Sequence, residues 1–149
     1  MPRLLAAVFA ILICATAPAL AGIADTPLPV ILPGSTTLHL YSVPGVIGGG
    51  GGVSTFFSCT STDTVPIQVG VEVFGSLGGG AANDAVTTSL SVVPGATVIF
   101  GTQSAAWISI NSNLGAPVSR GSARILATSK KLACTAFIAD NANAPPASA

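Results

Sequence analysis

Val65-Pro66-Ile67-Gln68-Val69-Gly70-Val71-Glu72-Val73-Phe74 is the stretch on which the fold turns. Ile67, Val69, Val71 and Val73 occupy one side of an extended chain, and Gln68, Gly70 and Glu72 occupy the other. β-branched residues repeating every second position suit a pleated, half-buried strand and suit a helix poorly.

Outward from this strand the same alternation recurs at short intervals. On the N-terminal side, residues 53–60 set Thr55, Phe57 and Cys59 on one face. Before them, residues 37–43 set Leu38 and Leu40 against Thr37, His39 and Tyr41, and Pro44-Gly45 reads as the stop. The glycine run 48–52 reads as a flexible connection. On the C-terminal side a glycine-containing turn region, 75–84, leads to an expected strand over 86–93 with Thr88, Leu90 and Val92 inward. Pro94-Gly95 signals a tight turn before another strand, 96–102. Residues 107–110 read as a short strand or as loop, and 123–128 and 132–140 pair through Ser129-Lys130-Lys131. Seven or eight short strands with turn signals between them predict an all-β fold. Two antiparallel sheets packed as an immunoglobulin-like sandwich satisfy the pattern, with a jelly roll or small barrel as the alternative.

The beginning of the chain reads differently. Arg3 precedes an apolar run over 4–15, Pro18 interrupts it, and Ala19-Leu20-Ala21 offers small residues at the positions a signal peptidase reads. Residues 1–21 are therefore expected to be a secretory signal cut before Gly22, and the run is too short to span a bilayer. Residues 22–36, with Pro27, Pro29 and Pro33, read as an extended arm. The β domain is expected over 37–140 and a disordered Pro- and Ala-rich tail over 141–149. A secreted protein, periplasmic or extracellular, with no membrane span after cleavage is the expected product. Cys14 leaves with the signal, so Cys59 and Cys134 remain. Each shares a face with apolar residues, and an oxidising compartment predicts a disulfide between the second strand and the last.

Composition excludes several function classes. The mature chain carries Arg120, Arg124, Lys130 and Lys131 against Asp25, Asp63, Glu72, Asp84 and Asp140, a formal charge of −1. So few cations cannot grip a phosphate backbone, and nucleic acid is excluded as a partner. All four lie between 120 and 131, where they are expected to guard a sheet edge or turn. The single histidine, His39, has no GxSxG elbow and no serine or carboxylate tied to it by a known spacing, so no catalytic residue is assigned. Copper and zinc sites need ligands that one histidine and two cysteines do not supply, and no DxDxDG loop offers a calcium site. The glycine runs lack the Lys-Ser or Lys-Thr of a phosphate loop. No metal or cofactor is called for.

One feature points outward. Phe56, Phe74 and Phe137 fall on strand faces opposite the expected core, and Trp107 sits in a loop-rich stretch. Exposed together, they would make an apolar docking patch for a protein or glycan partner. Loops or the N-terminal arm covering them, or a bulge that flips the register, is the alternative, and the one favoured.

Two stretches carry a resemblance: Phe57-Ser58-Cys59-Thr60 leading into Val69-Gly70-Val71-Glu72-Val73-Phe74, and Gly121-Ser122-Ala123-Arg124 leading into Cys134-Thr135-Ala136-Phe137. They resemble small exported bacterial proteins of unknown function that have a signal peptide and one Ig-like β domain. The resemblance implies a bacterial envelope or extracellular setting and carries over no functional residues. The expected function is an exported, non-catalytic module that binds a partner or takes part in assembly. Self-assembly by strand exchange through the arm or tail is a second reading, and a hydrolase built on His39 a third.

Overall fold

The computed structural model describes residues 22–50 and 52–146, so the expected signal segment lies outside the described residues. Eight strands form one hydrogen-bonded sheet: β1 (Leu38–Gly50), β2 (Val53–Ser61), β3 (Ile67–Gly75), β4 (Leu90–Val92), β5 (Thr97–Gly101), β6 (Ser112–Asn113), β7 (Val118–Ala127) and β8 (Leu132–Asp140). A single helical turn, α1 (Ala85–Thr88), precedes β4. The sheet runs β4-β3-β7-β1-β2-β5-β6, with β8 on the second edge of β2. Its pairings are antiparallel apart from β5–β6. The all-β class is as expected, and of the architectures considered the barrel fits, because the mixed sheet curls until it nearly closes. β1 and β8 flank the remaining opening, bridged at one end by the Tyr41 hydroxyl, which donates to the Leu132 carbonyl.

β1 does not stop at Pro44-Gly45. It continues to Gly50 by slipping register against β7 at three places, one of them between Pro44 and Val46. Gly45 takes a φ of +75°, which lets it serve as the extra residue of a bulge that bends the strand. Pro44 is tolerated because over this stretch β1 pairs only with β7, leaving its other edge without a ladder to break. The bend carries β1 across to β2 and links the two halves of the sheet. Crowding at that crossing explains part of the glycine run expected to be a flexible connection. A Cβ on Gly48 would lie 2.4 Å from Thr102 Cβ and 2.7 Å from the Ala116 carbonyl oxygen. Thr102 uses the space to donate from Oγ1 to the Ile47 carbonyl at 2.8 Å and to accept from Thr55 N at 3.0 Å.

Residues 86–93 were expected to be one strand and instead divide into α1 and β4. Asp84 caps the turn: its carboxylate accepts from Val86 N at 2.9 Å, and its carbonyl accepts from the hydroxyls of Thr87 and Thr88. These local bonds outweigh the β preference of a Val-Thr-Thr sequence. Residues 107–110, readable as a short strand or as loop, are loop, and the parallel pairing falls on Ser112–Asn113.

The core lies inside the curl. Ile67, Val69, Val71 and Val73 from β3 meet Phe57, Val98, Phe100, Ala123, Ile125 and Ala127 there. The outer face of β3 and β7 is covered as well: Ile31 of the arm and Ala85 of α1 pack on Leu126. Residues 22–36 are thus a strap folded against the sheet. Of the tail expected to be disordered, Asn141 is held by the Gly52 carbonyl at 2.8 Å and by Ser54, and Asp140 caps the next turn.

Candidate functional site

Glu72 on β3 and Arg124 on β7 stand directly opposite each other in the ladder, on the face turned away from the core. Arg124 Nε donates to Glu72 Oε2 at 2.5 Å. Its Nη1 donates to the carbonyls of Ile23 at 3.2 Å and Thr26 at 2.8 Å, and Nη2 donates to Pro27 at 2.9 Å. The guanidinium carbon also lies 5.2 Å from the centre of the Phe74 ring. A planar fork of fixed donors matches one carboxylate and a row of backbone carbonyls at once, which a lysine could not do. Arg124 is therefore not an edge guard, as its place among the clustered cations suggested. It is buried at 2 % exposure and fastens the arm to the sheet. Arg120, Lys130 and Lys131 do remain exposed. No motif announced this pair; the available signal was one acid and one base, each in the middle of an apolar strand, where opposite charges pair across a ladder.

Beside this fastening lies an open cavity of about 570 Å³ lined by residues 23–28 together with His39, Ser42 and Arg124. His39 Nε2 is 3.0 Å from Ser42 Oγ, the spacing of a serine–histidine dyad, and also 3.2 Å from the Tyr41 carbonyl oxygen. Nε2 donates to the Tyr41 carbonyl in one tautomer and accepts from the Ser42 hydroxyl in the other. The geometry serves to tie down an exposed bend in β1.

The structure places the four aromatic candidates in two separate locations. Phe56 and Phe137 stack with ring centres 5.5 Å apart, and Trp107 meets Phe56 edge-on at 5.8 Å. Trp107 Nε1 donates to the Asp140 carbonyl, and Ala106 N donates to Asn141 O at 3.1 Å, so the 103–111 loop lies down over the two phenylalanines. Phe74 belongs elsewhere, beneath Arg124. With Phe56 at 0 % and Phe74 at 1 % exposure, the four rings do not form one docking patch. The loop covers Phe56 and the Arg124 guanidinium lies over Phe74, while Trp107 and Phe137 stay half-buried.

Cys59 and Cys134 are bonded to each other and stand opposite in the β2–β8 ladder, with Cα atoms 4.2 Å apart. That close approach marks a non-hydrogen-bonded antiparallel pair. It follows that the amides of Cys134, and of Ala136 and Ile138 in phase with it, point away from β2. The Thr62 N to Lys131 O bond, 3.0 Å, sets the same phase from the other end. β8 thus presents an outer edge.

Among the described residues, no cluster of three or more His, Cys, Asp or Glu side chains could hold a metal ion, and no helix is long and apolar enough to cross a membrane. No family model matches the chain, and no similar curated protein or solved structure was found.

Proposed function

We propose that the mature chain is a secreted, bacterial, non-catalytic β module that acts by binding a protein partner or by assembling with other envelope or extracellular components. The observation that carries this reading is the outer edge of β8, braced from behind by the Cys59–Cys134 bond. A row of backbone donors and acceptors on a braced strand recognises extended peptide, which favours a protein over a glycan. The disulfide and the signal-like first 21 residues support export. An Ig-like layering is the finer description we favour, with β4-β3-β7-β1 in one layer and β6-β5-β2-β8 in the other. Its support is the shared core between those halves.

The test is to express the whole chain in a bacterium and recover it from the periplasm and medium. The expected product has the mass of residues 22–149 less two hydrogens, and its hydrolysis of a nitrophenyl ester equals that of the His39→Ala variant. Retention of the first 21 residues in the exported protein, or ester hydrolysis abolished by His39→Ala, would overturn the reading.

A further inference from the structure

We infer that the β8 edge pairs with the β8 edge of a second copy, antiparallel and centred on Ala136; the inference rests on the module reading above and names its partner.

The other free edges of the sheet are covered or cut short. β4 is three residues long and β6 two. Beyond β4, the exposed side of β3 is met by Asn83, whose Oδ1 accepts from Val73 N and whose Nδ2 donates to the Val71 carbonyl, both at 2.8 Å. Asn111 treats β5 in the same way, exchanging bonds with the amide and carbonyl of Ile99 at 2.8 Å each. β1 carries Pro44, which has no N–H to offer. Such devices are how sheet proteins block unwanted pairing.

β8 has none of them along its middle. Side chains cap its two ends, since Tyr41 donates to the Leu132 carbonyl and Trp107 to the Asp140 carbonyl. Between the caps, the outward amides and carbonyls of Cys134, Ala136 and Ile138 meet no hydrogen-bond partner among the described residues. The strand from Ala133 to Ala139 holds no charge and no proline, and Ile138 is 41 % exposed.

Three features select a second copy as the occupant. The free groups are symmetric about Ala136, so a two-fold axis there lets Ala136 bond its own mate while Cys134 bonds the mate's Ile138, and the reverse. Lys131 is already held by Asp63, and the buried Asp140 by its own turn, so neither charge at the ends of the strand repels a mate. A mature charge of −1 opposes association very little. A shallow cavity of about 220 Å³ beside the edge, between residues 43–45 of β1 and 136–138 of β8, gives a side chain of the added strand somewhere to sit.

The experiment uses the exported, disulfide-bonded protein. Sedimentation across micromolar to millimolar concentration is expected to show a monomer–dimer equilibrium. Hydrogen exchange at the amides of Cys134, Ala136 and Ile138 is expected to slow as the dimer forms. Ala136→Pro removes the central outward N–H, which β2 does not use, and Ile138→Lys guards the edge with a charge. Each should raise the dimer Kd about tenfold or more while leaving the monomer's thermal midpoint near its original value. A monomer at every concentration overturns the inference, as does a dimer in which those three amides exchange unchanged. A monomer that adds an unrelated extended peptide along β8 also overturns it while leaving the module reading intact, whereas hydrolysis lost with His39→Ala removes that reading alone.

Discussion

Arg124 and Glu72 are a buried ion pair whose charged groups are almost wholly satisfied by each other and by the arm. Such pairs contribute little net stability compared with apolar replacements, but losing one partner leaves the other charge buried and alone. Arg124→Leu is therefore expected to lower the unfolding free energy by about 3–5 kcal/mol, and the double variant Arg124→Leu with Glu72→Leu by distinctly less. Urea denaturation of the three proteins measures the difference. The single variant should also expose residues 22–36 to protease, since Ile23, Thr26 and Pro27 lose their common donor. The sequence showed both charges in mid-strand without showing that they were neighbours. Strand alternation tells which face a residue occupies, and the pairing of β3 with β7 joins segments 52 residues apart.

Two turns at the same end of the sheet are stitched by one carboxylate. Asp63, between β2 and β3, accepts from Ser129 Oγ at 2.5 Å, from Thr64 N at 2.6 Å and from Lys131 Nζ at 3.2 Å. The Ser129 hydroxyl first, and the Thr64 amide next, hold its pKa down at about 2 against an ordinary 3.8. A depressed folded pKa means the unfolded chain takes up the proton first as acid is added. The stabilisation from Asp63 is thus complete above pH 3.8 and disappears as the pH falls through about 2. Thermal midpoints of the natural protein and of Asp63→Asn are expected to differ at pH 6 and to converge between pH 4 and pH 2. A gap that persists unchanged at pH 2 contradicts the role. The turn itself was legible as Ser129-Lys130-Lys131, but the residue it bonds sits 66 positions earlier. α1 shows the reverse difficulty: its signal was local, an Asp84 cap, and it was masked by a run of β-forming residues.

Across the whole molecule, the disulfide ties β2 to β8 over 75 positions of chain. Closing a loop of that length in the unfolded state contributes about 4 kcal/mol in chain-entropy terms. Replacing both Cys59 and Cys134 by Ala should therefore lower the unfolding free energy by roughly that amount, read from chemical denaturation. β8 is held only by β2 in the ladder, so the loss should appear first as faster hydrogen exchange along β8. Release of β8 would also uncover Phe56, because Phe137 and the Trp107 loop move with that strand. A loss of tryptophan burial that precedes global unfolding in the double variant is the expected fluorescence signature.

The sequence by itself determined that the chain is all-β, which residues of β3 turn inward, that Phe57 and Cys59 of β2 do so, and that Cys59 and Cys134 occupy matching faces. It did so because period-two alternation, turn residues and composition act within a few positions of one another. It did not reveal that β1 bends through Pro44-Gly45 to join both halves in one nearly closed sheet. Nor did it reveal that the arm lies over Arg124, which loop covers Phe56, or that β8 is left with an open edge. Those are questions of which strand lies beside which, and what covers a face after the core is filled. Tertiary packing alone decides them, since hydrogen-bond ladders and buried area are gained between segments that sequence proximity does not bring together.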